Sequence, residues 1–189
     1  GCIALDSMVV AVNPLPVVNA GADAAICAGA NANLGGTPTG PSSSTYQWSP
    51  GAGLNNSTAA NPIAQPAGTT TYTVLVTDGN QCSASDSVTV TVNPLPVINA
   101  GQDTSVCLGS SVGLNAIGTG GFSWSPSTGL SATDIADPIA TPTATTTYTV
   151  TLTDANNCVN TDDVIVTVLG LPNADAGADV WVCPGFDVQ

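Results

Sequence analysis

The chain contains no lysine, no arginine and no histidine, and all 13 of its acidic residues are aspartate. Charged residues make up 7% of its 189 positions, against about 25% in an ordinary globular protein. Without imidazole, amine or guanidinium there is no histidine base, no lysine nucleophile or Schiff base, and no cationic clamp for phosphate or carboxylate. The chain is expected not to be an enzyme and to use no cofactor. A net charge of −13 repels phosphate backbones and anionic membrane surfaces, which excludes nucleic acid as a partner. Lys–Asn isopeptide cross-links are impossible. No apolar run approaches the roughly 18 residues of a spanning helix, so no membrane insertion is expected. At 43% hydrophobic the chain can nonetheless build a core, and its acidity does not signal disorder. It opens on Gly1 with neither Met nor a signal peptide, as a mature or excised piece does.

What the chain does have is repetition. Asn13-Pro14-Leu15-Pro16-Val17-Val18-Asn19-Ala20-Gly21 returns as Asn93-Pro94-Leu95-Pro96-Val97-Ile98-Asn99-Ala100-Gly101, a shift of 80 positions. It begins again at Leu171-Pro172-Asn173-Ala174-Asp175-Ala176-Gly177, a further shift of 76. A period near 80 suits one small β-sandwich and is too long for a helical solenoid repeat. The divisions expected are 1–13 as the last strand of a preceding module, 14–93 and 94–170 as two whole modules, and 171–189 as the first strand of a following one. The joints hold two prolines in four residues and should be short and stiff.

Within each module the pattern has period two. Tyr72, Val74 and Val76 alternate with Thr73, Leu75 and Thr77, and Tyr148 to Thr153 follows suit. Val88, Val90 and Val92 alternate with Thr89 and Thr91, a strand that recurs at Val164–Val168 and at Met8–Val12. One buried face and one solvated face follow, with turns at Asp78-Gly79-Asn80 and Asp154-Ala155-Asn156. The fold class expected is all-β. The modules differ in length by four residues within the Gly/Pro/Ser/Thr-rich segment 35–45, which reads as a loop that tolerates insertion. Tyr46, Trp48 and Tyr72, repeated as Phe122, Trp124 and Tyr148, read as core anchors rather than as an exposed platform for sugar stacking. Trp181 has no aromatic equivalent and reads as a surface or inter-module residue.

The cysteines repeat with the modules. Cys27, Cys107 and Cys183 form one series, and Cys2, Cys82 and Cys158 another, both spaced by 80 and then 76. Metal sites favour clustered C-x-x-C pairs with histidine, and neither occurs, so no metal is expected. One early and one late cysteine per module predicts Cys27 paired with Cys82 and Cys107 with Cys158, because a sandwich brings first and last strands together. Cys2 and Cys183 are then unpaired within the chain. Disulfides imply a secreted, extracellular or cell-surface location.

The segments Asn19-Ala20-Gly21-Ala22-Asp23, Tyr46-Gln47-Trp48-Ser49-Pro50, Thr70-Thr71-Tyr72-Thr73-Val74 and Val88-Thr89-Val90-Thr91-Val92 resemble a PKD-type Ig-like domain. Trp124-Ser125-Pro126-Ser127-Thr128-Gly129-Leu130 and Asp154-Ala155-Asn156-Asn157-Cys158 are similar to the cysteine-containing PKD-like repeats of very large bacterial surface proteins, typical of gliding bacteria with type IX secretion. The resemblance covers essentially the whole chain. It implies tandem seven-stranded sandwiches on the cell surface, built into adhesins and filaments. The acidic turn that PKD-type domains carry after the Trp is missing from Trp48-Ser49-Pro50-Gly51-Ala52-Gly53.

Further candidates are weaker. Asp162-Asp163, Asp134 with Asp137, and Asp154-Ala155-Asn156 could offer oxygens to Ca²⁺, but none has EF-hand spacing, and turn caps are the favoured reading. Ser7 and Ser87 follow an aspartate and precede an apolar residue, an O-glycosylation signal in bacteria of the resembled kind. Asn55 and Asn56 head Asn-x-Ser/Thr sequons of little meaning in a bacterial protein. The function expected is structural, a disulfide-pinned stalk segment of a surface adhesin or filament. Its partners would be further copies of the module or subunit and a surface glycan or host or cell-surface target. The alternative is a carbohydrate-binding or spacer module of a secreted hydrolase.

Overall fold

In a computed structural model, residues 2–3, 6–175 and 177 are described. The alternating valine, threonine and tyrosine segments form strands, and no described residue is helical. The first repeat supplies β1 (Ala24–Cys27), β2 (Ala32–Asn33), β3 (Thr45–Ser49), β4 (Ile63–Ala64), β5 (Thr70–Thr77) and β6 (Ser83–Asn93). The second supplies β7 (Ile98–Asn99), β8 (Thr104–Cys107), β9 (Val112–Gly113), β10 (Ile117–Gly118), β11 (Gly121–Ser125), β12 (Ile139–Ala140), β13 (Thr146–Thr153) and β14 (Val159–Leu169). By packing, the chain divides into two units, Gly1–Pro96 with Thr153–Asn160 and Val97–Leu152 with Thr161–Gln189.

Each repeat is an Ig-like β-sandwich. A four-stranded sheet ordered β1-β6-β5-β3 faces the pair β2-β4, and the order β11-β13-β14-β8 with the pair β12-β9 repeats it. All neighbours in the first sheet are antiparallel except one. β1 lies parallel to β6, with Ala24 opposite Val90 and Cys27 opposite Asn93, and β8 lies parallel to β14, with Thr104 opposite Val166 and Cys107 opposite Leu169.

The resemblance implies seven strands per module; the structure has six in the first repeat and eight in the second among the described residues. The extra pair is β7 with β10, Ile98 opposite Gly118. In the first repeat the corresponding loop carries Pro38 and Pro41, and proline has no N–H to extend a ladder. Two backbone bonds stand in, Asn19 N–H to the Thr39 carbonyl at 3.0 Å and Gly36 N–H to the Asn19 carbonyl at 2.8 Å. The four-residue length difference is therefore absorbed in a loop tied down by Asn19 and by the Asn61 amide, which donates to the Gly36 carbonyl at 3.0 Å and to Thr39 Oγ1 at 3.1 Å. The strand expected at Met8–Val12 does not form; Val9 is 92% exposed, because no described strand lies beside it.

The cores follow the period-two pattern. Tyr72, Val74 and Val76 point inward with Trp48, Leu34, Val88 and Val90, while Thr71 and Thr73 face solvent. Tyr148, Val150, Val164 and Val166 pack with Trp124 in the second repeat. Each anchor also has its polar atom satisfied. Trp48 Nε1 donates to the Ala59 carbonyl at 3.0 Å and Trp124 Nε1 to that of Ile135 at 2.9 Å. Tyr72 Oη donates to the Ala52 carbonyl at 3.0 Å and Tyr148 Oη to that of Thr128 at 2.9 Å. The turn that receives the tyrosine needs glycine: Gly53 has φ 78°, and a Cβ there would lie 2.9 Å from Tyr72 Oη.

Burial pushes the Tyr72 and Tyr148 phenols above the ordinary value of 10.0, against a smaller lowering by Thr70 and Thr146. The unfolded chain ionises first, so the stability these tyrosines contribute is complete below pH 10 and is lost as pH rises through their folded values. We expect alkaline unfolding to begin above pH 10, with both phenolates appearing in the ultraviolet only as the fold is lost. Tyr72→Phe should lower stability at pH 7 by about 1 kcal/mol in urea unfolding, the worth of one hydrogen bond. Free titration of both tyrosines in the folded chain would contradict this.

Candidate functional site

The chemically distinctive groups are the cysteines, and the same two local devices position all four that lie within the repeats. The first is the turn between the last two long strands. Asp78 Oδ1 accepts from the Asn80 and Cys82 N–H groups at 2.8 and 2.9 Å, and Asp154 Oδ1 from those of Asn156 and Cys158, both at 2.8 Å. Gln81 and Asn157, at φ 68° and 60°, complete the reversal and set Cys82 and Cys158 at the hairpin base. The second device follows β1 and β8. Ala28 N–H bonds the Asn93 carbonyl at 2.8 Å and Ala30 N–H that of Cys27 at 2.9 Å; Leu108 to Leu169 and Ser110 to Cys107 repeat both bonds at 2.8 and 2.9 Å.

These devices put the two cysteines of one repeat at opposite ends of its sheet. Cys27 is level with Asn93, at the finish of β6, whereas Cys82 immediately precedes Ser83, at its start. Ten residues of β6 separate those levels (93 − 83), roughly 33 Å at about 3.3 Å per residue. A disulfide needs Cα atoms within about 7 Å. The expected pairing of Cys27 with Cys82 is therefore wrong, and that of Cys107 with Cys158 fails in the same way, since Cys107 is opposite Leu169 and Cys158 adjoins Val159. First and last strands do come together, but in parallel, so the early cysteine meets the far end of the last strand.

The bond that forms is Cys27–Cys158, with a Cα–Cα distance of 5.5 Å and a sequence separation of 131. It joins the end of β1 in the first repeat to the hairpin Thr153–Asn160 of the second, a segment that packs with the first unit. Beside it, Asn160 Nδ2 donates to the Pro96 carbonyl at 2.9 Å. Cys158 is fully buried, whereas Cys107 is exposed and Cys82 half-buried. Cys2, Cys82 and Cys107 have no disulfide partner among the described residues, and Cys183 and Trp181 lie outside them.

The other candidates separate by role. Trp48 and Trp124 are 1% and 3% exposed, so neither offers a stacking face. An open depression of about 470 Å³ over Ser44, Tyr46, Gln47 and Leu75 holds one half-buried aromatic, Tyr46. Ser7 and Ser87 are both exposed. Asp86, next to Ser87, accepts from Ala20 N–H at 2.8 Å, and Asp162 from Ala100 N–H at 2.8 Å, which gives the Asp of that motif a structural task. Asp23 and Asp103 cap Thr89 and Ile165 N–H at 2.8 Å. Asn55 and Asn56 cap Ile63 and Thr58 N–H at 2.9 Å. Among the described residues no three Cys or Asp side chains cluster as metal ligands.

No protein-family model matches this chain, and no curated protein does. Among solved structures it is similar to Sidekick-1 immunoglobulin domains 1–4, at 12% identity and TM-score 0.39, over 82% of this chain and 48% of that one. It is also similar to the insect immune protein hemolin, at 16% identity and TM-score 0.40, over 82% and 47%. The PKD domain from KIAA 1837 protein aligns at 22% identity and TM-score 0.35, over 40% of this chain and 84% of that domain. This chain thus spans about half the length of the Sidekick-1 and hemolin structures. The Ig-like assignment itself rests on strand order and pairing.

Cleavage before aspartate puts each of the six cysteines in its own fragment, since Asp6, Asp23, Asp78, Asp86, Asp103, Asp134, Asp154, Asp162 and Asp179 fall between them. Non-reducing digestion should give the Asp23 fragment linked to the Asp154 fragment. Cys27→Ser should destabilise the chain by up to about 5 kcal/mol in denaturant, the loop-closure value for a ring of this size. Linkage of the Asp23 fragment to the Asp78 fragment would overturn the assignment.

Proposed function

We propose that this chain is a load-bearing segment of a bacterial surface adhesin or filament, acting as a disulfide-pinned stalk of tandem Ig-like repeats outside the cell. Residues 14–93 and 94–170 are the two repeats in this reading, with 1–13 and 171–189 as sequence of flanking ones. The observation that carries it is the bond between repeats. A disulfide within a domain stabilises that domain; one from Cys27 to Cys158 also offers tension a covalent route from the first repeat into the second. Pulling on the two chain ends loads residues up to Cys27 and from Cys158 onward, and leaves the intervening 130 residues (131 − 1) outside the load path. The motif resemblance supports the bacterial surface setting, and the disulfide supports an oxidising compartment. The absence of cations, at net charge −13, keeps neighbouring stalks apart and leaves no site for trypsin-like proteases. The buried tryptophans favour this reading over a carbohydrate-binding module. Partners in this reading are further copies of the repeat and a surface glycan or protein at the adhesive end.

Single-molecule pulling from the two ends tests the mechanics. The intact disulfide replaces 131 residue steps by 5.5 Å, so adding a reductant should lengthen the fully extended chain by roughly 470 Å, at about 3.6 Å per residue. Equal extension with and without reductant would remove the basis of the stalk reading.

The exposed Ser7 and Ser87 are proposed as O-glycan acceptors. Peptides holding Ser7 and Ser87, cut from native material, should then exceed their sequence masses in hexose-sized steps, and Ser87→Ala should remove one set of them. Peptides of unmodified mass reject this.

A further inference from the structure

The Cys27–Cys158 bond uses one cysteine of each repeat and leaves the other. The two left over are not miscellaneous thiols. Cys107 is the equivalent of Cys27 at an offset of 80, and Cys82 is the equivalent of Cys158 at an offset of 76. Their surroundings are built to the same plan. The turn after Cys107 carries the same two backbone bonds as the turn after Cys27, and the Asp78 carboxylate holds Cys82 N–H as Asp154 holds Cys158 N–H. What differs is cover: Cys158, in its bond, is fully buried, while Cys82 is half-buried and Cys107 exposed. Each unpaired cysteine is a preformed half of a joint whose completed form stands in the same molecule.

We propose that Cys82 and Cys107 are the two complementary halves of a repeating inter-repeat disulfide, Cys107 pairing with the hairpin cysteine of a further Ig-like repeat and Cys82 with the β1-end cysteine of another. The inference rests on the stalk reading and deepens it by naming the partner chemistry. The partner is a repeat of the same kind, from a further stretch of chain or from a second copy, where Cys107 of one copy meets Cys82 of the next. Such pairing is head-to-tail and propagates linearly rather than closing on itself. Because each half is a different surface, Cys82 should not pair with Cys82, nor Cys107 with Cys107.

Formation is a two-electron oxidation. Both thiols lose a proton, one S–S bond forms, and the two electrons reduce the disulfide of an external oxidant, glutathione disulfide or an oxidised dithiol oxidoreductase, to two thiols. The route is exchange through a mixed disulfide, which the exposed Cys107 can enter.

The test uses the full chain with Cys2→Ser and Cys183→Ser, in two versions carrying Cys82→Ser or Cys107→Ser, in a glutathione redox buffer. Either version alone should stay monomeric on non-reducing gels, and the equimolar mixture should give a covalent dimer whose Asp103 fragment is linked to the Asp78 fragment. Native material run on a non-reducing gel before digestion separates the sources: Cys107 linked to the Asp78 fragment in a covalent multimer indicates a second copy, the same link in a monomer band is a bond within one chain, and Cys107 linked to any other hairpin cysteine indicates a further repeat. Dimers from either version alone as abundant as from the mixture overturn complementarity. Cys82 and Cys107 alkylated without reduction in native material, or bonded to each other within one chain, overturn the proposal. If they are free while Cys27–Cys158 is intact, the stalk reading survives and this inference fails; if Cys27–Cys158 is itself absent, the stalk reading fails first.

Discussion

The parallel pairing of the first strand with the last, β1 on β6 and β8 on β14, is the constraint on which the rest of this molecule depends. In an antiparallel arrangement the early cysteine would lie beside the hairpin that begins the last strand, and each repeat could close its own disulfide. In the parallel arrangement Cys27 is level with Asn93, at the end where the chain leaves for the second repeat. Cys82 is left just before Ser83, at the opposite end of β6, on the order of 30 Å away. The geometry of one strand pair thus turns a domain-internal staple into a bond that reaches the next repeat.

A second constraint is the lack of any cation. With no lysine, arginine or histidine, the aspartates have no side-chain counter-ion, and the structure uses them as acceptors for backbone N–H groups instead. Asp23, Asp78 and Asp86 cap a β6 amide, a hairpin turn and the Ala20 amide; Asp103, Asp154 and Asp162 do the same in the second repeat. Hydrogen bonds to a charged acceptor are stronger than neutral ones. Three such carboxylates per repeat fix the strand ends and turns that carry the cysteines, so a composition without cations also supplies the framework around them.

Much of each sandwich was legible in one dimension. Period two in Thr70–Thr77 and Ser83–Asn93 marked the long strands and their buried faces, because side chains alternate strictly across a pleated sheet. Repetition of Trp48 and Trp124 at matched positions marked the core anchors. The two-residue strands β2, β4, β9 and β12 gave no such signal, being too short to show a period. The strand suggested by Met8–Val12 has the pattern of β6 without a neighbour, and pattern alone does not make a strand.

Fold class and the two interleaved cysteine series could be read from the chain alone, because each follows from local pattern or composition. Which cysteines meet could not be read there and is set by the packing of the strands. Cysteine spacing is the same for a bond within a repeat and a bond between repeats, and strand direction, a long-range property, separates the two. One sign was present in the sequence: both series run on past the two whole repeats, Cys2 before them and Cys183 after. That regularity suits a joint repeated along a chain as well as it suits a disulfide inside each domain, and the parallel register of β1 on β6 rules out the second.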